Sequence, residues 1–291
     1  MTHIMSPYHQ LLRDILAQPY VDGRNAQARA LFGYFMRFDL DGGAQFPLLS
    51  SRRIPFRRTI AELVWFLSGS TSLDDLNALG CHWWDEYAGR GPHPDEVSEL
   101  GPIYGHQWRN LEDYRGGSLD QIRYIIEEVR NHNESRRAVM TAWRIDDLAD
   151  MALQPCHVSL QIRLMRRRLH GLLYQRSADM ILGVPHNIAS YALLLCLISR
   201  ELGVIPGSLC HAIGDAHIYR AHEPIASELV RRFHEDPREA PQLVLSDDLP
   251  DDIDDAWEIL ANRMRDGGRA RPLVDLVGYN PHPPLHAELF P

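Results

Sequence analysis

Lysine is absent from the 291 residues: all 30 basic side chains are arginine. Read mainly as codon bias, the absence still has chemical consequences. Catalysis through a lysine Schiff base is excluded, and so is a phosphate loop built around a lysine. A cation in a functional site must be a permanently charged, fork-shaped guanidinium. Cysteine is scarce as well. Cys81, Cys156, Cys196 and Cys210 form no C-x-x-C pair and no regular framework, so neither a structural metal site nor a disulfide scaffold is expected. Long apolar runs are also missing, the longest being Tyr191 to Ile198, too short for a bilayer. With no basic segment leading into an apolar one at the N-terminus, the expected compartment is the cytoplasm, where thiols stay reduced.

What is present describes a folded chain, with 45% hydrophobic and 24% charged residues. The formal charge is −9, but it is concentrated. Between His234 and Asp255, nine acidic residues against Arg238 give −8, leaving −1 for everything else. A generally basic surface for nucleic acid is thereby excluded. The stretch at about 234–255, punctuated by Pro237, Pro241 and Pro250, reads as a solvated surface excursion.

Ser6-Pro7 marks a helix start, with Tyr8, Leu11, Leu12, Ile15 and Leu16 on one face. A second helix is predicted from Thr59, where Thr-x-x-Glu to Glu62 forms a capping box, up to Gly69. Ser72 to Gly80 and Ser118 to His132 read as further helices. The most apolar helix is predicted from about Asn187 to Leu202 and must be buried on most sides. Strand patterns cover Ala138 to Trp143, Val158 to Leu164, Leu169 to Tyr174 and Leu209 to Ile213, with a hairpin near Arg166 to Arg168. Antiparallel strands mixed with long helices imply an α+β fold with a mixed or antiparallel sheet, and no linker divides the chain, so residues 1–291 are read as one domain.

Reactive residue types are densest between Gln154 and Tyr191. Cys156 sits just before a strand, and Arg176 follows one hairpin later. A thiolate nucleophile needs such a cation, although a lone Cys-His pair is by itself more often a buried structural cysteine. Cys81, Cys196 and Cys210 keep that plain reading among apolar neighbours.

Five blocks carry more. Leu100-Gly-Pro-Ile-Tyr-Gly-His-Gln-Trp-Arg109, Gln154-Pro-Cys-His157, Gln175-Arg-Ser-Ala-Asp179, Gly183-Val-Pro-His-Asn-Ile-Ala-Ser-Tyr191 and Gly214-Asp-Ala-His-Ile-Tyr219 resemble, in order and spacing, the thymidylate synthase family. The likeness extends from about Tyr8 to Gly278-Tyr-Asn-Pro-His-Pro283. It implies a thymidylate synthase-like fold, a homodimer meeting across a sheet face, and 5,10-methylenetetrahydrofolate as one-carbon donor to a pyrimidine nucleoside monophosphate.

The resemblance also implies roles. Cys156 adds to C6 of the base and so makes C5 nucleophilic. Arg176, Ser177 and Arg24 meet the phosphate, joined by Arg136 and Arg137 from the other subunit. Alone, that last pair would read as solvated surface charge. Gln175 belongs to the nucleotide-binding set, Asn187 reads the base edge, and His217 and Tyr219 hold the sugar 3′-hydroxyl. Asp179, Trp84, Tyr87 and Gly183 fall on the folate side. Glu62 and Tyr104 serve proton transfer around the base and His157 belongs to the catalytic set, although Glu62 could merely cap its helix and His217 could be a core histidine.

Several positions depart from the family pattern. Arg24-Asn-Ala-Gln-Ala28 stands where methylating members carry Arg-Thr-Gly-Thr-Gly, so both flexible glycines are gone. His186 replaces the usual Phe before the base reader, Tyr87 replaces a second Trp, and the chain ends in Phe290-Pro291 rather than a small aliphatic residue. An intact nucleophile beside an altered lid suggests changed chemistry after carbon transfer: water captures the C5 methylene as hydroxymethyl, where hydride would make a methyl group. Asn187 alone favours uracil, but a turned amide suits cytosine, and His186 is expected to bias that turn. Hydroxymethylation of CMP or dCMP is therefore expected, as in family members of nucleoside-antibiotic pathways. The alternatives are methylation of dUMP and an idle nucleotide- or RNA-binding relative.

Overall fold

A computed structural model describes residues 3–23, 26–93, 95–113, 115–267 and 272–288. Arg24 and Asn25 of the altered loop and the Phe290-Pro291 terminus lie outside the described residues.

The first helix, α1 (Ser6–Leu16), begins at the predicted Ser-Pro and buries Tyr8, Leu11, Leu12 and Ile15. A short strand, β1 (Tyr20–Asp22), pairs with the long β2 (Gln27–Asp39). No strand was predicted there. Gly33 interrupts the pairing at φ 79°, and the exposed Phe32 and Phe35 flank it, so no clean period of two runs through the segment. Helices α2 (Phe56–Ser68), α3 (Leu73–Ala78) and α4 (Tyr104–Arg109) follow. Then come a two-stranded ladder, β3 (Leu111–Glu112) with β4 (Ser118–Leu119), and α5 (Gln121–Asn131), capped by the Asp120 side chain.

The sheet is completed by β5 (Val139–Thr141), β6 (His157–Met165), β7 (Arg168–Asp179) and, after α6 (Gly183–Glu201), β8 (Ile205–Tyr219). Its order is β1-β2-β8-β7-β6-β5, antiparallel except for the β7 and β8 pair. The hairpin between β6 and β7 turns at Arg166 and Arg167, both at positive φ. Helices α1 and α6 pack on one face, and α6 is apolar all round and almost wholly buried. Phe32 (82% exposed), Leu172 and Tyr174 leave the sheet with open apolar surface. These elements form the mixed α+β architecture read from the sequence.

The acidic stretch departs from expectation. It closes α7 (Glu223–Glu235), forms β9 (Gln242–Leu245), which pairs with β10 (Val274–Val277), and starts α8 (Ile253–Arg265). Asp252 caps α8 through its side chain, and its carboxylate lies 3.2 Å from Arg123. Asp254 lies 2.6 Å from Arg109, and Asp251 2.6 Å from Arg200. Arginines on α4, α5 and α6 thus neutralise carboxylates that composition alone assigns to solvent.

Candidate active site

The helix α2 begins at Phe56 with Pro55 at its cap, one turn earlier than the Thr59 start. Thr59 and Glu62 therefore lie inside the helix, and the capping-box reading of Glu62 falls. Thr59 Oγ1 lies 2.9 Å from His186 Nδ1, while Glu62 Oε1 accepts the Trp84 indole N–H at 2.8 Å. Burial raises the Glu62 carboxyl to about 7, with the bond from Trp84 pulling weakly the other way. Trp84 itself packs edge-on against Trp65, Phe66 and Tyr104, and at 5.5 Å from Tyr87. An apolar cage thus holds an acid whose proton is exchangeable near neutrality.

Cys156 stands at the foot of β6, in a turn fixed from both sides. Its N–H donates to the Tyr104 hydroxyl at 2.6 Å, and its carbonyl accepts from the Arg176 N–H at 2.8 Å. The Arg176 guanidinium donates to the carbonyls of Pro155 (2.9 Å) and Gln154 (3.0 Å), and lies 5.1 Å from the Trp143 ring. Two donors of the fork anchor the cysteine turn, and the rest remain for an anion. Burial keeps the Tyr104 phenol protonated, and its ring stacks on His157 at 4.3 Å.

Asn187 belongs to a chain of side-chain hydrogen bonds whose direction a backbone carbonyl sets. A carbonyl only accepts, so Gln175 must turn its NH2 towards Ser177 O, at 2.9 Å. The same NH2 then donates to Asn187 Oδ1 at 3.2 Å, while Gln175 Oε1 accepts from His211 Nε2 at 2.9 Å. Asn187 Nδ2 consequently donates to His157 Nε2 at 3.2 Å, and His157 Nδ1 donates to the Tyr191 hydroxyl at 3.1 Å. Burial lowers both histidines to about 3, so each is neutral with one donor and one acceptor. The amide of Asn187 is thus held in one orientation.

That orientation does not come from His186. The sequence expectation placed His186 as the group that turns the amide, but its Nδ1 is engaged by Thr59 and its ring lies 4.2 Å from Trp83. Adjacent residues on a helix project about 100° apart, so a sequence neighbour of Asn187 need not reach its side chain. His211 and Tyr191 do this work together with Gln175 and His157. One signal could have identified His211: it alternates with the buried Leu209 and Ile213 on β8, where an imidazole must find a partner.

The remaining expected residues fall around this centre. Asp179 Oδ1 accepts the N–H groups of Ile181 (2.8 Å) and Leu182 (2.9 Å), fixing the turn into α6, which Gly183 opens. His217 Nδ1 donates to Asp215 at 2.8 Å, with the Tyr219 ring at 5.1 Å. Arg136 and Arg137 are exposed ahead of β5; their carbonyls accept from Gln161 and Tyr124, and the Arg137 N–H donates to Ser135 Oγ at 3.0 Å. Sequence reasoning overlooked Arg52, which looks like half of a surface pair. It is buried, and donates to Ile181 O and to Leu285 O of the C-terminal segment.

The aromatic rings of Trp84 and Tyr87, 5.5 Å apart, the buried acid Glu62 bonded to Trp84 and the Asp179 carboxylate are residue types that fit a folate. Among the described residues, no cluster could hold a metal ion, and no helix is long and apolar enough to cross a membrane. Residues 6–290 match the family model for thymidylate synthase, and the chain belongs to that family, whose folate-dependent enzymes transfer a methyl group to C5 of pyrimidine nucleotides with methylenetetrahydrofolate as donor.

Proposed function

We propose that this chain is a folate-dependent 5-hydroxymethylase of pyrimidine nucleoside monophosphates, with Cys156 as the nucleophile at C6. Tyr104 and Glu62 handle protons at the base, Arg176 and Ser177 with Arg24 bind the phosphate, and His217 with Tyr219 hold the sugar. Asp179 and Trp84 receive the pterin. The observation that carries the hydroxymethyl reading is the polar pair of His186 and Thr59 against Trp83, where the family resemblance leads one to expect a phenyl ring. A polar group there can keep a water that a phenyl ring would exclude.

The held amide bears on the base. With Cys156 at C6 and Tyr104 at C5, as the family resemblance implies, C5 lies on the side of the Tyr104 ring, which stacks on His157. Position 4 then lies towards His157 and N3 farther along, so Asn187 Nδ2 meets position 4 and Oδ1 meets N3. Uracil offers O4 and N3–H there, and both pair. Cytosine offers an amino group and a bare N3, and accepting it costs the Gln175 bond to Ser177 or leaves two mismatches of about 1–3 kcal/mol each. UMP or dUMP is thus favoured over the CMP or dCMP expected from sequence. The same observation favours a second reading, methylation of dUMP.

One assay separates these readings. Incubated with CMP, dCMP, UMP and dUMP in turn plus methylenetetrahydrofolate, the enzyme is expected to yield hydroxymethyl nucleotide and tetrahydrofolate, with uracil preferred by about tenfold or more. Dihydrofolate formed mole for mole with product would establish methylation, and turnover of cytosine nucleotides alone would overturn the base assignment.

The open sheet face bearing Phe32, Leu172 and Tyr174 supports a homodimer, with Arg136 and Arg137 reaching the partner's phosphate site. Mixing inactive Cys156→Ser with inactive Arg136→Ala is expected to restore roughly a quarter of wild-type activity, because half of the random dimers carry one intact site. Subunit exchange without recovered activity would refute the shared site.

A further inference from the structure

We propose that His186 holds the water that captures the one-carbon unit, accepting one of its hydrogens at Nε2 and so aiming its oxygen at the methylene carbon on C5. The inference rests on the hydroxymethylation reading and adds the residue that selects water over hydride.

His186 lies beside the base reader in sequence but outside its hydrogen-bonded chain. Its Nδ1 is fixed 2.9 Å from Thr59 Oγ1, and its ring leans on Trp83 at 56°. Unlike Val184, Pro185 and Asn187 around it, the residue is only half-buried, and among the described residues no hydrogen bond reaches its Nε2. Burial, helped by the charges of Arg52 and Arg58, lowers its basicity to about 3, so the ring carries one N–H and one bare nitrogen at neutral pH. Thr59 Oγ1 can accept from a protonated Nδ1, and in that tautomer the bare nitrogen is Nε2. Thr59 and Glu62 stand about one turn apart on α2, so one helix carries both the buried acid and the hydroxyl bonded to the histidine.

The step balances without an oxidant or reductant. The water oxygen forms a bond to the exocyclic methylene carbon, and the carbon–carbon double-bond pair moves to C5 and its adjacent C4 carbonyl or imine. That pair returns to form C5=C6 as the bond from C6 to the Cys156 sulfur breaks. One water hydrogen stays as the hydroxyl. The other, with the hydrogen lost from C5, matches the two taken up by the nitrogens of the departing tetrahydrofolate.

The test compares His186→Phe and His186→Gln with the wild type. If the wild type makes only methyl product with dihydrofolate, the hydroxymethylase reading fails, and the role of His186 falls with it. Where the wild type makes hydroxymethyl product, His186→Phe is expected to lower its formation about tenfold or more and to raise the methyl fraction, while His186→Gln, which keeps an acceptor, recovers part of the loss. Folate-free exchange of the C5 hydrogen with solvent, which needs Cys156 but no captured water, is expected to stay within about twofold in both variants. In the free wild-type enzyme, the nitrogen-15 NMR signals of His186 should show Nε2 as the unprotonated nitrogen. A hydroxymethyl rate within about twofold of wild type in His186→Phe, an equal loss of C5 exchange, or a protonated Nε2 would each overturn the assignment.

Discussion

Replacing Cys156 with serine is expected to lower kcat by at least about a thousandfold while leaving nucleotide affinity within a few-fold. A serine hydroxyl is almost fully protonated at neutral pH, whereas a thiol supplies thiolate readily. Affinity should survive because main-chain bonds of residue 156 hold the turn. The N–H goes to Tyr104, the carbonyl goes to Arg176, and the guanidinium of Arg176 is anchored on Gln154 and Pro155. None of these bonds changes with the side chain. Steady-state kinetics and equilibrium titration with the nucleotide check the two halves separately. Retention of more than a few per cent of the wild-type rate would remove Cys156 from the nucleophile's role, and a joint collapse of binding and melting temperature would show that the sulfur supports the turn.

The parts of this site legible in the sequence are those whose neighbours are close along the chain. The cysteine turn and Arg176 were readable as a unit because β6 and β7 form a hairpin, and Asn187 follows at the start of α6. The bonds that decide chemistry are long-range. Thr59 meets His186 across 127 positions, and His211 meets Gln175 across 36. No local pattern announces either pairing. Local pattern also misled in places. Thr-x-x-Glu from Thr59 has the form of a capping box, yet Pro55 starts the helix and turns both residues inward. The start of α6 was placed at Asn187, although Pro185 is tolerated in a first helical turn and Gly183 opens the helix. The acidic stretch reads as solvated because the arginines that meet its carboxylates, Arg109, Arg123 and Arg200, lie far from it along the chain.

Glu62→Gln should give the second large effect, a loss of about 10²–10⁴ in kcat, with a signature in its pH dependence. Glutamine can still accept the Trp84 N–H and fills nearly the same volume, so packing is kept and only the exchangeable proton is lost. The wild-type kcat/KM profile is expected to bend near pH 7, where the buried carboxyl changes state, and the variant's profile should lack that limb. Stability provides an independent reading, with opposite sign to the activity loss. The carboxyl titrates at about 7 in the fold against 4.5 in the unfolded chain. Below 4.5 both states are protonated and the wild type carries no penalty. Between 4.5 and 7 the unfolded chain ionises while the fold keeps its proton, so wild-type stability falls as pH rises, by about 3 kcal/mol in all. Glutamine has no such term, and the variant should gain on the wild type across that window and hold the gain above pH 7. Denaturant unfolding at pH 4.5 and pH 8 measures the difference. Parallel stability curves together with an unchanged bend in activity would place the neutral-pH proton on another group and leave Glu62 as a packing partner of Trp84.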